Sequence, residues 1–227
     1  MTMARLPLAV AAALLAMPVF AQDVGHPHFV EETATSGVSS VYDGEWFYMV
    51  GGGVATFDCS DDGLPDMLLP GGAGTATFYR NTSTVGGSLR FAAEPSGLEL
   101  DGVAGAYPAD IDSDGIMDLI VLRVGENVAM RGLGACRFER ANEAWGFEGG
   151  DAWSAALALT WEKGAGWPTV AVGNYIDRHE EISPWGSCTE NWLHRPRPEA
   201  GGFAPPRALA PSFCALSMLF TDWNRSG

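Results

Sequence analysis

The stretch Asp110-Ile-Asp-Ser-Asp-Gly-Ile-Met-Asp118 places four carboxylates within one short loop. They stand at positions 1, 3, 5 and 9 of the stretch, and a glycine stands at position 6. Alternating carboxylates can point to one side of a turn, and the glycine permits the sharp bend of a cation-binding loop. Without a cation, carboxylates this close would repel one another. The stretch therefore predicts a Ca²⁺ site formed by Asp110, Asp112, Asp114, the Ile116 carbonyl and Asp118.

An earlier stretch, Asp58-Cys-Ser-Asp-Asp-Gly-Leu-Pro-Asp66, repeats this pattern with a serine hydroxyl at position 3. An EF-hand loop would need Glu at position 12 and a helix on each side, but position 12 is Leu69 or Val121. Ordinary Asp- and Gly-rich turns share the composition, although two matching loops favour a shared ligand. The sequence predicts a second Ca²⁺ site formed by Asp58, Ser60, Asp62, the Leu64 carbonyl and Asp66.

Both loops belong to a longer repeat. Loops preceded by a short apolar run begin near residues 58, 110, 161 and 222, so the spacing is 51 to 61 residues. Further apolar runs follow each of the first three loops, the last of them around Phe91, Phe138 or Phe203. A period of about 50 residues with four short strands is typical of a β-propeller blade. The predicted fold is therefore an all-β propeller of four-stranded antiparallel blades.

The predicted propeller is an incomplete arc of about three to four blades. The third loop, 161–169, has no acidic residue at positions 1, 5 or 9, which predicts a blade without a metal. The fourth loop begins at Asp222 and has no ninth position within the 227 residues. At the other end, Phe29-Val-Glu-Glu resembles Phe91-Ala-Ala-Glu and is predicted as the outer strand of a further blade. We expect a fragment of a longer protein, which either joins missing C-terminal blades or self-associates.

The N-terminus predicts export. Residues 1–21 combine an early arginine, an apolar run of signal-peptide length and a final alanine, so they are predicted to be a cleaved signal peptide. Residues 22–227 would then form the partial propeller in the periplasm or outside the cell, with no membrane span. The net charge of −15 argues against a nucleic-acid partner, because an acidic surface repels phosphates.

The four cysteines predict two disulfides. Export favours an oxidising compartment, and four cysteines allow three connectivities, among which the sequence does not choose. Cys188 and Cys214 bracket a proline-rich stretch that a bridge would close. That local argument favours Cys188–Cys214, which leaves Cys59 with Cys136.

The loops and the short strands between them resemble FG-GAP/VCBS repeats, the blades of integrin-type propellers. Further stretches are similar to secreted proteins of the cartilage acidic protein type, which often carry an ASPIC/UnbV domain after the propeller: 173–178, 184–185, 195–196, 204–206 and 214–220. No ASPIC/UnbV segment is present in these 227 residues. The resemblance implies an extracellular or periplasmic Ca²⁺-binding protein that acts in adhesion or ligand binding.

The expected function is therefore non-enzymatic binding of an unknown protein or carbohydrate ligand. No nucleophile elbow, HExxH, P-loop or GxGxxG motif stands in a supporting context. The alternative is a propeller enzyme acting on polysaccharide, a lyase or hydrolase, with its site opposite the metal loops. His179 and its charged neighbours are the candidates for that chemistry, although a polar loop has the same composition.

Overall fold

The computed structural model describes residues 26, 28–180, 187–198 and 200–224. The chain divides into two units, 1–31 and 32–227, and the elements below belong to the second. The predicted signal peptide, residues 1–21, lies outside the described residues. The helical elements are α1 (Thr33–Ser36), a 3₁₀ turn (Trp46–Tyr48) and α2 (Asn142–Trp145). The strands are β1 (Ala55–Phe57), β2 (Asp66–Leu69), β3 (Thr77–Asn81), β4 (Phe91–Ala93), β5 (Val103–Ala109), β6 (Asp118–Gly125), β7 (Val128–Gly132), β8 (Phe138–Arg140), β9 (Ala152–Thr160), β10 (Thr169–Ile176), β11 (Asn191–His194) and β12 (Arg207–Leu209).

These strands form three consecutive four-stranded antiparallel units, which we call the first, second and third blades. Each blade pairs its strands in chain order: β1 to β4, β5 to β8 and β9 to β12. The second and third blades are also joined by a short pairing of β6 with β9, at Val124↔Trp153 and Gly125↔Ala152. In the described part of the chain the blades do not close into a ring. The predicted all-β class and incomplete propeller are confirmed.

The central strand β6 explains how the blades pack. Its successive side chains alternate between two apolar clusters, as the pleat of a strand requires. Leu119 and Val121 belong to the cluster shared with the first blade, and Ile120 and Leu122 to the cluster shared with the third. All four are at most 1% exposed. A strand buried on both faces has a continuous apolar sequence, as this one has.

A repeated contact also joins a glycine that precedes each blade to a phenylalanine of that blade. Gly97 has a φ of +97°, and a Cβ there would lie 2.2 Å from the carbonyl oxygen of Phe138. Gly37 and Gly146 make the equivalent approach to the carbonyl oxygens of Phe91 and Phe203. Only glycine combines the left-handed backbone with so close an approach.

Three predicted strand assignments were wrong. Phe203 forms only an isolated bridge with Pro196, and the outer strand of the third blade is β12. The apolar run that leads into the fourth loop, residues 218–222, was predicted as a strand but forms none, although Met218 packs close to Gly173 of β10. Residues 29–32 form no strand either.

Both favoured disulfides are present. Cys188 is bonded to Cys214, which joins the segment before β11 to the segment after β12. Cys59 is bonded to Cys136, which joins the first loop to the turn between β7 and β8 of the second blade. Across the described residues, no helix is long and apolar enough to cross a membrane.

Candidate metal centre

The three predicted loops lie at equivalent places, each between the first two strands of a blade. The first loop joins β1 to β2, the second joins β5 to β6, and the third joins β9 to β10. The ninth loop position is in each case the first residue of the second strand: Asp66, Asp118 and Thr169. The strand therefore fixes the ninth position, while positions 1 to 8 form the turn.

Asp118 is the buried base of the second loop. Its side chain is inaccessible to solvent, and each carboxylate oxygen accepts a backbone hydrogen bond. Ile111 N–H donates to Oδ2 at 2.8 Å, and Gly132 N–H donates to Oδ1 at 2.7 Å. Burial nevertheless raises the pKa of Asp118 to about 6, because desolvation disfavours the charged form more than these bonds favour it.

Asp110 and Asp112 converge on Asp118. One oxygen from each of the three carboxylates lies within 4.8 Å of the other two. Gly115 N–H donates to Asp110 Oδ2 at 3.1 Å, whereas Asp110 Oδ1 is buried and has no hydrogen-bond partner among the described residues. A buried carboxylate oxygen without a donor is costly unless a cation faces it. The second loop therefore fits a hard cation such as Ca²⁺.

Asp114 and Arg131 form the outer side of this loop. Asp114 Oδ1 accepts a hydrogen bond from Ile116 N–H at 2.8 Å, and that bond is the main cause of the lowered pKa of Asp114. The Arg131 guanidinium lies 3.1 Å from Asp114 Oδ2 and 3.2 Å from Asp112 Oδ2. Desolvation and the Asp114 charge raise the pKa of Asp112. The arginine thus already neutralises part of the charge that a bound cation would neutralise.

In the first loop the Asp58 carboxylate is occupied by the loop's own backbone. Asp58 Oδ1 accepts N–H groups from positions 3, 4 and 5, and Oδ2 accepts Gly63 N–H at 2.7 Å. Desolvation acts to raise the pKa of Asp58, but these four bonds outweigh it and the pKa is lowered. Asp62 Oδ1 accepts Leu64 N–H at 2.8 Å.

The ninth-position carboxylate of the first loop, Asp66, is fully buried, and burial raises its pKa. Its close neighbours include the sulfurs of Cys59 and Cys136, and Ser60 Oγ lies 3.5 Å from Asp58 Oδ1. Within the described residues, Asp58, Asp62 and Asp66 do not converge as the second loop's carboxylates do.

The third loop is closed by a threonine hydroxyl and a peripheral ion pair. Thr169 stands where the other loops have aspartate, and its hydroxyl donates to Glu162 Oε1 at 2.8 Å. Arg195 also approaches this carboxylate, at 3.5 Å. Ser113 of the second loop donates a hydrogen bond to the Gly166 carbonyl, so the second and third loops touch.

Two features of these loops were missed by the sequence reasoning. The spacing of the acidic residues did not link Arg131 to the second loop. Arg131 lies on β7, which pairs with β6, the strand that begins at Asp118. The contact of Asp66 with the disulfide was also missed, although Cys59 stands at loop position 2 and is therefore next to the ninth residue in space.

The histidine considered for catalysis lies at the opposite end of the third blade. His179 Nε2 is 2.8 Å from Asp151 Oδ2, and Arg178 Nε is 2.8 Å from Asp151 Oδ1. Asp151 immediately precedes β9, while the third loop follows that strand. The pair is well exposed, which is typical of a surface ion pair.

Comparison with known proteins supports the repeat that the loops indicate. A search of curated proteins found no match for this chain. A family model, that of the FG-GAP-like repeat, matches residues 58–121. The matched segment begins at the first position of the first loop, ends within β6 and contains both Asp-rich loops. The matched segment is thus similar to the FG-GAP-like repeat, and it includes the candidate metal centre.

Proposed function

We propose that this chain is part of an exported, Ca²⁺-binding β-propeller that acts as a non-enzymatic module for adhesion or ligand binding. The proposal is carried by the convergence of Asp110, Asp112 and Asp118, one of which has a buried oxygen, Asp110 Oδ1, without a hydrogen-bond partner among the described residues. Dense carboxylate oxygens suit Ca²⁺ better than they suit a softer transition metal. The FG-GAP-like match supports a binding module of this type.

The proposal assigns tighter binding to the second loop than to the first. In the second loop, Asp110, Asp112 and Asp118 would hold the cation, and Asp114 and the Ile116 carbonyl are further candidates. In the first loop, four backbone N–H groups already satisfy Asp58 and compete for its lone pairs.

Export and the finer family resemblance are part of the proposal. The two disulfides support an oxidising compartment, in agreement with a signal peptide at residues 1–21. Similarity to the cartilage acidic protein type would add an adhesion role for the complete protein. The partner is expected to be a protein or a carbohydrate.

Four apolar side chains, each more than half exposed, are candidates for a surface covered by further blades or another copy: Phe213, Leu216, Leu219 and Trp223.

Calorimetric titration with Ca²⁺ tests the metal site. Wild-type protein should bind with measurable heat, and Asp110→Asn should lose the tighter site. Asp61→Asn is the matched control, because it removes the same charge from an exposed, non-ligand loop position. A ligand that binds only the folded state also stabilises it, by about 2.7 kcal/mol at one hundred times its Kd. If Ca²⁺ gives neither heat nor a shift of the thermal transition, the proposal is wrong.

The binding role is tested separately. Immobilised matrix proteins and polysaccharides should retain the wild-type protein with Ca²⁺ and release it with EDTA, and Asp110→Asn should bind less. Retention that is insensitive to both changes would contradict a Ca²⁺-dependent binding role.

A second candidate function rests on the His179–Asp151 contact. A carboxylate that orients an imidazole is a common arrangement for a general base, and this one lies opposite the metal loops. An enzyme acting on polysaccharide would lose turnover on His179→Ala while keeping its melting temperature. Wild-type protein that releases no unsaturated or reducing sugar ends from acidic polysaccharides would eliminate this candidate.

A further inference from the structure

One surface cavity of this structure is lined mainly by aromatic and acidic side chains. It has a volume of about 240 Å³ and lies at the 3₁₀ turn that precedes the first blade. Its volume is far more than one water molecule needs, so a small organic group can enter. We call it the aromatic cavity, and the rings and carboxylates that line it belong to Tyr42, Asp43, Glu45, Trp46 and Tyr48.

The segment that forms the aromatic cavity is held by all three blades. A backbone bridge joins Asp43 to the connection between β2 and β3. Gly52 N–H donates to the carbonyl of Ala104, near the start of β5, at 3.0 Å. Trp153, near the start of β9, donates from Nε1 to the Val50 carbonyl at 3.3 Å. Because the second and third loops follow the ends of β5 and β9, the cavity lies opposite the candidate metal centre.

Glycines make room for the two tyrosine rings. A Cβ at Gly52 would lie 3.4–3.5 Å from three atoms of the Tyr42 ring, so the backbone lies against a face of that ring. A Cβ at Gly51 would lie 2.3 Å from Tyr42 Oη. One at Gly44 would lie 2.4 Å from Cδ2 of Tyr48. The two rings are 6.5 Å apart at 75°, and this fixed arrangement lowers the entropic cost of binding a ligand.

Trp46 provides a third ring. It is 41% exposed, and it stacks on Phe47 with 4.5 Å between the ring centroids. The fully buried Trp153 meets it nearly edge-on at 5.6 Å. The indole is therefore held in place by the core while part of it remains accessible. Tryptophan is the aromatic side chain that attracts a cation most strongly.

The charges at the aromatic cavity favour a cation. Asp43 and Glu45 are both exposed, and neither forms an ion pair within the described part of the chain. One oxygen of Asp43 accepts the N–H of Gly44 at 2.6 Å, which leaves the negative charge without a counterion. The faces of aromatic rings are also negative. A net charge of −15 adds a long-range attraction for cations.

We propose that the aromatic cavity binds a quaternary ammonium group carried by a small soluble molecule. A primary ammonium is strongly hydrated and needs acceptors for three N–H groups. A quaternary ammonium has no N–H, and its methyl groups can contact ring faces that attract its charge. The site lies apart from the Asp-rich loops, so the inference does not depend on the proposed Ca²⁺ function.

Choline is the probe for this site. Saturation-transfer NMR of its N-methyl protons, as a titration of wild-type protein, should give a Kd on the order of 1 mM, because so small a ligand makes few contacts. The neutral analogue, in which a tert-butyl group replaces the trimethylammonium, should bind at least about fivefold more weakly. Phosphocholine should also bind more weakly than choline, because Asp43 and Glu45 repel its phosphate.

Substitutions of the rings distinguish specific contacts from general damage. Trp46→Leu and Tyr42→Leu should each weaken choline binding about three- to tenfold. Tyr42→Phe keeps the ring and should bind within about twofold of wild type. Its hydroxyl is buried without a hydrogen-bond partner among the described residues, so its removal should leave the fold intact. Trp161→Leu is the matched control, since Trp161 is 44% exposed but shares its cavity with Lys163.

Substitutions of the carboxylates test the charge. Asp43→Asn with Glu45→Gln should weaken choline binding about two- to fivefold at low salt, and less at high salt, because exposed charges are screened. Asp61→Asn with Glu94→Gln removes the same charge from exposed positions outside the cavity and should leave binding unchanged. Far-ultraviolet circular dichroism and the thermal transition establish that each variant is folded.

Equal affinity for choline and its neutral analogue would overturn the inference, and so would the absence of choline binding. These measurements use wild-type protein alone, so they decide the question even if a ring variant fails to fold. Choline affinity that is unchanged by Trp46→Leu and by Tyr42→Leu would place the ligand elsewhere and would also overturn it. Phosphocholine that binds as tightly as choline would contradict the assignment to a free cation.

Discussion

The buried histidine of the third blade makes the stability of this protein sensitive to pH. His194 is the last residue of β11, is 1% exposed, and its ring stacks on Phe147 at 4.6 Å. Its Nδ1 atom is buried without a hydrogen-bond partner among the described residues. Burial lowers the pKa of His194 from 6.5 to about 4, because the charged imidazolium loses its hydration.

The sign of the effect follows from proton uptake. Below pH 6.5 the unfolded chain protonates this histidine, while the folded protein keeps it neutral down to about pH 4. The cost of keeping His194 neutral is therefore absent well above pH 6.5, and it lowers the free energy of unfolding as the pH falls through this window. At about 1.36 kcal/mol per pKa unit, the loss by pH 4.5 is roughly 2–3 kcal/mol.

Urea denaturation of wild-type protein and His194→Phe, followed by tryptophan fluorescence, measures this loss. Phenylalanine keeps a ring against Phe147 and removes the titrating group. All other ionisable groups are shared, so the difference between the two proteins isolates His194. From pH 7.5 to 4.5, wild-type protein should lose roughly 2–3 kcal/mol more unfolding free energy than the variant. Parallel pH dependences would refute the reasoning.

Three further predictions concern the second loop, a blade contact and the core. Arg131→Met should raise second-loop Ca²⁺ affinity severalfold by removing a competing cation worth up to about 1 kcal/mol; unchanged or weaker calorimetric binding would contradict it. Gly97→Ala should destabilise the protein well beyond Gly86→Ala, which has a similar φ but open space around its Cβ position; equal urea midpoints would count against the predicted clash. Ile120→Ala should cost about 2–5 kcal/mol in urea denaturation, against under about 0.5 for exposed Leu133→Ala; similar losses would contradict the assigned core.

The fold could be predicted from the sequence wherever strands are buried on both faces. The run Leu119–Leu122 is continuously apolar and follows an Asp-rich loop, and it forms the centre of β6. The apolar run coincides with the strand because both faces of β6 pack against neighbouring blades, which requires apolar side chains on both sides.

Peripheral strands were harder to predict because they bury little. The outer strand β12 is only partly buried, and its sequence, Arg-Ala-Leu, has no distinctive pattern. Phe203 offered a stronger apolar signal, but it is buried against Trp167 and Phe147 outside any strand. An aromatic residue indicates that a position is buried in the core. It does not indicate a strand, because strands are defined by backbone hydrogen bonds that composition does not reveal.

Comparison of the loops distinguishes aspartates that hold a loop closed by hydrogen bonds from aspartates that are candidates for binding a cation. Asp66 and Asp118 each accept the N–H of loop position 2 and one N–H from the third strand of the blade. These bonds hold the loop closed without a cation, so an aspartate at position 9 does not by itself indicate a metal.

The feature specific to a cation is found at the first position. Asp58 satisfies its carboxylate with four backbone donors, whereas Asp110 receives one and keeps a buried oxygen without a donor in the described structure. The two loops have nearly the same pattern of residues, so the difference lies in how many backbone N–H groups reach the first carboxylate. This geometry, more than the spacing of aspartates, makes the second loop the stronger Ca²⁺ candidate.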